Sequence, residues 1–299
     1  MTKNSTTNFD KLGSFATSYE AGSVSTTSDS FVSLGDGPEC SIIVPESGAV
    51  LIEYGARMGG TGLSGSGGNI TVNLSGAYTQ TDDFSATAAT YRSSGSNPGS
   101  ANTSAGTMQL VTGMTPGETL TALMRYQRRG SWTAYFEQRY IIMQALPSGS
   151  GTASNSGVNF AESRGTWAFD YAYGTVSTSS FDFSSQSGGP TAALVVPSSG
   201  IVRIKYGALM GNGTQGSAAN ATINYSGAYT ETDNTTWSIN YRLSGGSSST
   251  LQTSGSQERI LTGLTPGETL TAHMRYQVGA NSGTAYFSMR FIFMEALPG

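Results

Sequence analysis

With one histidine and one cysteine among its 299 residues, the chain has a narrow choice of chemistry. His273 would need a partner within hydrogen-bond reach to act as general acid or base. It alternates onto the strand face that carries Arg275, away from the apolar positions, and reads as a surface histidine. Cys40 is matched by Ala192 in a second copy of the sequence, so it reads as a small buried residue at the start of a strand; a reactive thiol would need an electropositive setting. Zinc requires a cluster of Cys and His ligands, which one of each does not supply. Asp82-Asp83 and Asp233-Asn234 recur after the same strand and suit Asx turns, because calcium takes six or more oxygens and the alternating acidic spacing that would provide them is missing. Glu118 and Glu268 sit in turns and bond locally. A glycosidase pair of carboxylates would meet only in space, and no residue pattern here points to one. Gly65-Ser66-Gly67-Gly68 lacks the Lys-Ser/Thr and the helix of a phosphate loop. Of Trp132, Trp167 and Trp237, which could stack on a pyranose ring, packing accounts best for the set, and Trp132 is the candidate ligand-loop residue. The expectation is a non-enzymatic protein without cofactor or metal.

What positions these residues is a duplication. TGMTPGETLTALMRYQ from Thr112 returns as TGLTPGETLTAHMRYQ from Thr262, and the copies align almost end to end, from Asn8-Phe9 on Asn159-Phe160 to Ala145-Leu146-Pro147 on Ala296-Leu297-Pro298. A repeat of this length exceeds the ~20 to 50 residues of a solenoid unit and is the size of a domain. The expected division is an N-terminal arm over 1–12, a first domain over 13–147, a Gly/Ser-rich linker and second arm over 148–164, and a second domain over 165–299.

Forty glycines, loops of Ser, Thr and Asn, and only 11% charged residues accompany 15 Tyr and 12 Phe, set in runs with Val, Ile and Thr. Disordered chains lack such runs, and each copy is long enough to bury a core without disulfide or metal. The net charge of −4 gives no basic field for nucleic acid or an anionic membrane. No apolar run reaches the ~18 residues of a membrane span, and the polar start shows no signal peptide.

Period-two alternation marks half-buried antiparallel strands. In Thr119 to Gln127 one face receives Leu120, Ala122, Met124 and Tyr126; Ala49 to Met58 turns Val50, Ile52, Tyr54 and Met58 inward. Eight strands are expected in the first copy, near 24–33, 39–44, 49–58, 69–76, 84–91, 107–113, 119–127 and 133–143, with type II turns at Thr115-Pro116-Gly117-Glu118 and Thr265-Pro266-Gly267-Glu268. The fold class is all-β, two tandem antiparallel sandwiches of jelly-roll type. Clean alternation fails in the last strand. There Phe287, Met289, Phe291 and Phe293 fall on one face against Tyr286, Ile292 and Met294, and Phe136, Tyr140 and Ile142 against Tyr135, Ile141 and Met143. A strand apolar on both faces is covered on both, by its own domain or by another subunit, which makes Tyr135, Tyr140, Tyr286, Phe287, Phe291 and Phe293 the candidate subunit interface.

The run VSTTSDSFVSLGDGPECSIIVPESGAVLIEYGARM from Val24, then SGAY, LVTGMTPGETLTALMRYQ and a closing TAYFEQRYIIMQALP, resembles a module of tailed bacteriophages, especially those of actinobacteria. In those phages similar modules occur in minor tail proteins, fibre tips and head-surface appendages, and their jelly-roll shape resembles the trimeric C1q and tumour-necrosis-factor-like heads. The resemblance covers nearly the whole chain, twice, and carries no catalytic residues. It implies a virion protein made in the host cytoplasm, a capsid decoration or a minor tail or fibre component. The implied partners are its own copies in a homotrimer, the major capsid protein, and a host surface glycan for an adhesive role. No coiled-coil heptads or collagen-like shaft accompany the module, which favours a compact decoration.

Overall fold

The computed structural model describes residues 5–9, 13–35, 37–60, 67–82, 88–92, 103–146, 152–154, 167–213, 218–242, 249–279 and 283–297. Most of the expected linker, much of the loops at 59–68 and 93–106, and Asp83 lie outside them. The chain divides into two compact units near residues 148 and 149.

The first unit holds β1 (Ser5–Phe9), β2 (Gly13–Glu20), β3 (Val24–Thr26), β4 (Glu39–Ile43), β5 (Val50–Gly60), β6 (Gly67–Gly76), β7 (Ala89–Arg92), β8 (Thr103–Val111), β9 (Thr119–Arg129) and β10 (Ala134–Ala145). One sheet runs β1-β2-β10-β5-β8, with β3 also on β10; the other runs β7-β6-β9-β4. The second unit repeats this with β11 (Thr152–Ser154), β12 (Trp167–Ala172), β13 (Val176–Thr178), β14 (Thr191–Val195), β15 (Val202–Asn212), β16 (Ala218–Gly227), β17 (Ile239–Arg242), β18 (Ser249–Leu261), β19 (Thr269–Val278) and β20 (Ala285–Ala296). Its sheets run β11-β12-β20-β15-β18, with β13 on β20, and β14-β19-β16-β17. From β3 onward the chain crosses repeatedly between the two sheets of each unit, which is the jelly-roll path. The expected arms are edge strands, β1 antiparallel on β2 and β11 parallel to β12.

Alternation places the core as expected where strands are regular. Leu120, Ala122, Met124 and Tyr126 are each 0% exposed, as are Leu270, Ala272, Met274 and Tyr276. Val50, Ile52, Tyr54 and Met58 line the same core. Cys40 and Ala192 are buried equivalents, and burial pushes the Cys40 thiol up to about 12. Both Pro-Gly turns form, with Gly117 and Gly267 at φ of 84° and 85° and Glu118 N donating to Thr115 O at 3.4 Å. Each turn is pinned to the neighbouring strand, since Val44 N donates to Glu118 O and Gly117 N to Val44 O. Two expectations shift. The strand placed at 24–33 is only the short β3 followed by a bridge at Val32, and β2 stands where no strand is expected. Its inward residues are Ala16 and Ser18, 3% and 1% exposed, so the large side chains of SFATSYE mark the outer face instead of the core.

The last strand departs from its expected faces for a definite reason. Opposite β5 the register slips between Glu137 and Tyr140, so that Ala56 faces two residues; opposite β15 it slips between Gly207 and Leu209. This is a β-bulge, which inserts one residue and resets which side chains face inward. Gln138 and Met289 occupy it with φ of 47° and 45°. Ala134 and Phe136 face the core before the bulge and Ile141, Met143 and Ala145 after it; in the second unit Ala285, Phe287, Ile292 and Met294 do so. Phe287 is thus corrected from the candidate interface to the core of its own unit, and Phe291 and Phe293 belong to the opposite face.

The bulge also turns Arg139 and Arg290 inward, 1% and 2% exposed. Each guanidinium bonds a core tyrosine, Arg139 Nη1 to Tyr126 Oη at 3.2 Å and Arg290 Nη1 to Tyr276 Oη at 3.3 Å, and lies 5.9 and 5.7 Å from the ring centroid. The other arm bonds the turn after the first long strand, at Gly22 O and Gly174 O. The second unit adds Asp170, 1% exposed, at the position of Ser18. Burial raises its carboxyl to about 6, against backbone hydrogen bonds from Thr191 and Tyr171 and the charge of Arg290.

Two tests follow from this arrangement. Deleting Gln138 alone restores strict alternation with Phe136, Ile141, Met143 and Ala145 still inward and is expected to keep the first unit's calorimetric transition, whereas deleting Gln138 and Arg139 together sends Ile141, Met143 and Ala145 to the outer face and is expected to abolish it. Gln138→Gly, suited to the left-handed backbone, should leave stability unchanged or raise it by ~1 kcal/mol; a double deletion that melts normally rules out this role for the bulge. For Asp170 the folded pKa lies above the unfolded one, so the folded state holds the proton more tightly and stability falls as pH rises from about 4 through about 6. The second unit should therefore lose on the order of 3 kcal/mol between those limits relative to Asp170→Asn. Parallel pH–melting curves for the two proteins would contradict it.

Candidate functional site

His273 provides the nearest approach to catalytic geometry. Its Nδ1 lies 2.6 Å from Thr191 Oγ1, and Thr191 N donates to Asp170 Oδ2 at 2.7 Å. Burial, helped by the charge of Arg275, pushes the imidazole below its ordinary pKa. A neutral imidazole on a hydroxyl is half of a nucleophile–base pair, but the carboxylate here bonds the Thr191 amide and not the imidazole, so among the described residues no third group orients the ring as a triad requires. The contacts instead tie edge strand β14 to β19 and β12. Asp82 and Asp233 are also structural. Their amides donate to Asn73 and Asn224, both at 2.7 Å, and their carboxylates pair with Arg125 at 3.0 Å and Arg275 at 3.3 Å. Among the described residues no group of three His, Cys, Asp or Glu could hold a metal ion.

The loop after β6 and after β16 doubles back to form a clasp between the sheets. Leu74 bridges Gln80 and Tyr225 bridges Glu231. From there the first unit reaches β8 through Gln109 Nε2 donating to Gln80 Oε1 at 2.6 Å. The second reaches β18 through an ion pair of Glu231 with Arg259, whose Nη2 also donates to Tyr229 Oη at 3.1 Å. Arg259 is ringed by Tyr225, Tyr229 and Trp237 at 5.4, 5.5 and 5.0 Å, distances at which a cation is attracted to an aromatic face. Its hydrogen bond holds the Glu231 carboxyl below the usual range. Trp237 accordingly packs on a cation and lies in a one-turn helix, Thr235–Trp237, capped by Asn234.

Apart from Phe287, the candidate interface residues fall on the outer face of the β2–β10–β5–β8 sheet and its counterpart. Tyr135, Tyr140 and Tyr286 are half-buried there. Tyr140 lies flat over Gly55 and Gly106, whose added Cβ atoms would come within 2.7 and 3.0 Å of its ring or hydroxyl. Phe291 lies likewise on Gly207. Phe291 and Phe293 are only 2% and 0% exposed, and an aromatic row continues from Phe293 through Phe169 and Tyr171 to Tyr173. Those two phenylalanines have no free surface in the chain as folded, whereas Tyr19 beside Tyr140 is 52% exposed.

Trp132 is 49% exposed in the turn between β9 and β10. Pairing places this turn at the end of the sandwich where Gly60 meets Ala134 and Gly67 meets both Arg129 and Arg92. β5 ends, β6 begins and β7 ends at that same end.

The clasp is testable by exchange between units. Glu231→Gln combined with Arg259→Gln recreates the first unit's amide pair and should unfold at a higher denaturant midpoint than Arg259→Gln alone, which strands a half-buried carboxylate at a cost of ~2 kcal/mol. Equal midpoints for the single and double variants would show that the ion pair is not what closes the clasp.

No protein-family model matches the chain, and no curated protein does. Among solved structures it is similar to the N-terminal CBM22-1–CBM22-2 tandem domain of Paenibacillus barcinonensis Xyn10C, with 13% identity, a TM-score of 0.26, and 100% of this chain and 92% of that one covered. Eiger TNF from S. frugiperda matches at 11% identity and a TM-score of 0.27 over 44% of this chain and 94% of that one. The VP2 subviral particle of infectious bursal disease virus matches at 11% and 0.25 over 98% and 74%. At these scores the likeness carries no functional argument, and the fold rests on the strand order itself.

Proposed function

We propose that the chain is a non-enzymatic structural protein of a bacteriophage particle, displayed on its surface as a capsid decoration. The observation that supports this reading is how the two units divide conservative and variable positions. The phrase shared most closely between them, TPGETLTA, is a turn launching a core strand, and the repeated arginine, tyrosine and bulge hold the sandwich. Differences of chemical type also stand at exposed loop positions, such as Asp29 against Phe181, as expected of a duplicated scaffold that presents surface. The sequence pattern from Val24 to Pro147 resembles phage surface modules, and the same resemblance suggests trimeric assembly. In such an assembly the outer face bearing Tyr19, Tyr135 and Tyr140 would meet a symmetry mate, and the major capsid protein would be the docking partner.

Quantitative mass spectrometry of purified particles from the phage that encodes the chain is the direct test. Hundreds of copies per particle are expected for a shell decoration; a handful would move the protein to the tail, and its absence from particles would overturn the reading.

A further inference from the structure

The two units differ most sharply in chemistry at one corner, where β3 leaves its sheet beside the turn between β9 and β10. Thr26 pairs with Ala134, two residues after Trp132, and Arg128 N donates to Ser28 O at 2.9 Å. The 28–30 loop is fixed against itself, with Ser28 Oγ donating to Ser30 O at 2.7 Å and accepting from Ser30 N at 3.1 Å. Gln127 Nε2 donates to Asp29 O, adding a tie to β9. Out of this locked loop Asp29 meets Arg128 side by side, Nε to Oδ1 at 2.6 Å and Nη2 to Oδ2 at 2.7 Å. The Asp29 side chain is 72% exposed.

The second unit builds the same loop with other side chains. Ser180 Oγ donates to Asp182 O at 2.7 Å and accepts from Asp182 N at 3.1 Å, and Gln277 Nε2 donates to Phe181 O. Phe181, 54% exposed, stands at the place of Asp29, and Val278, fully buried, at that of Arg128. Its turn, Gly279 to Thr284, contains no aromatic residue. A loop of matching hydrogen bonds thus carries a carboxylate paired with a guanidinium in one unit and only apolar groups in the other, and the turn that follows the strand holds an indole in the first unit alone. The ion pair is not needed to form the loop, and an exposed pair adds little to stability.

We propose that this corner of the first unit is a saccharide subsite, with Trp132 as the stacking platform and the Asp29–Arg128 pair as the reader of a vicinal diol. Side-on pairing consumes one acceptor direction on each carboxylate oxygen and leaves Nη1 of Arg128 pointing away from Asp29. One sugar hydroxyl donates to the carboxylate while its neighbour accepts from the guanidinium, and both groups are held in place before the ligand arrives, which limits the ordering cost of binding. The half-exposed indole supplies a flat apolar surface for the C–H face of the ring. A few placed polar groups beside an aromatic surface is the usual composition of a small-molecule site. The ligand class is a neutral oligosaccharide with adjacent hydroxyls, recognised at its end or along its edge. This inference goes beyond surface display and does not depend on it.

The full chain would be applied to an array of neutral hexose and pentose oligosaccharides and the hits titrated by tryptophan emission and by calorimetry. At least one compound should bind, with affinity falling tenfold or more in Trp132→Ala and also in the double variant Asp29→Phe/Arg128→Val, which installs the second unit's residues on the same loop. Melting points should stay at the wild-type value. If the double variant does not fold, Asp29→Asn is read in its place. No binding anywhere on the array overturns the proposal, as does binding that survives either substitution within threefold.

Discussion

One inserted residue in the last strand of each sandwich governs much of what surrounds it. The left-handed backbone at Gln138 and Met289 shifts the inward face by one position, and every later residue in that strand depends on the shift. It sends Ile141 and Met143, or Ile292 and Met294, into the core and leaves Tyr140 or Phe291 outside. It also aims an arginine at the buried tyrosine of the neighbouring sheet. From there the guanidinium reaches the carbonyl of Gly22 or Gly174, so the same irregularity that sets the core also ties down the turn between β2 and β3, or between β12 and β13. A charge buried this deeply is tolerated because it is hydrogen-bonded on two sides.

Around that common frame the units solve equal problems with different electrostatics. The clasp between sheets is an amide pair in one and an ion pair inside an aromatic ring of three side chains in the other. The position beside the buried arginine is Ser18 in one and a carboxyl with a raised pKa, Asp170, in the other. The loop after β3 ends on an ion pair in the first unit and on Phe181 in the second. Backbone geometry is retained through each exchange, as the matching serine and glutamine bonds show. Charge is therefore the variable that distinguishes two otherwise parallel sandwiches.

Most of this frame is legible in the residues. Duplication, regular alternation in β5, β9 and their partners, and the Pro-Gly turns together specify an all-β tandem sandwich before any coordinate is known. Two features escape for physical reasons. In β2 and β12 the core side is built from Ala16, Ser18, Ala168 and Asp170, so hydrophobicity signals the wrong face. In β10 and β20 the bulge carries no glycine to announce it, and strict alternation then assigns Phe287 to the surface. Surface candidates are harder still, because the sequence names aromatic residues without saying which are covered: Trp132 stands in solvent, Trp167 is 3% exposed, and Trp237 packs on Arg259.

The ring of Tyr140 occupies the space that two side chains would need on Gly55 and Gly106. Those three positions form a linked character in descent. A methyl group at Gly55 would meet the ring at 2.7 Å and one at Gly106 its hydroxyl at 3.0 Å, while loss of the ring uncovers a bare strip of backbone on β5 and β8. Sister sequences that diverge from this chain should therefore change Gly55 only with the ring and Gly106 only with the hydroxyl, and the second unit shows the latter, with Phe291 over Gly207 and Ser256 at the place of Gly106.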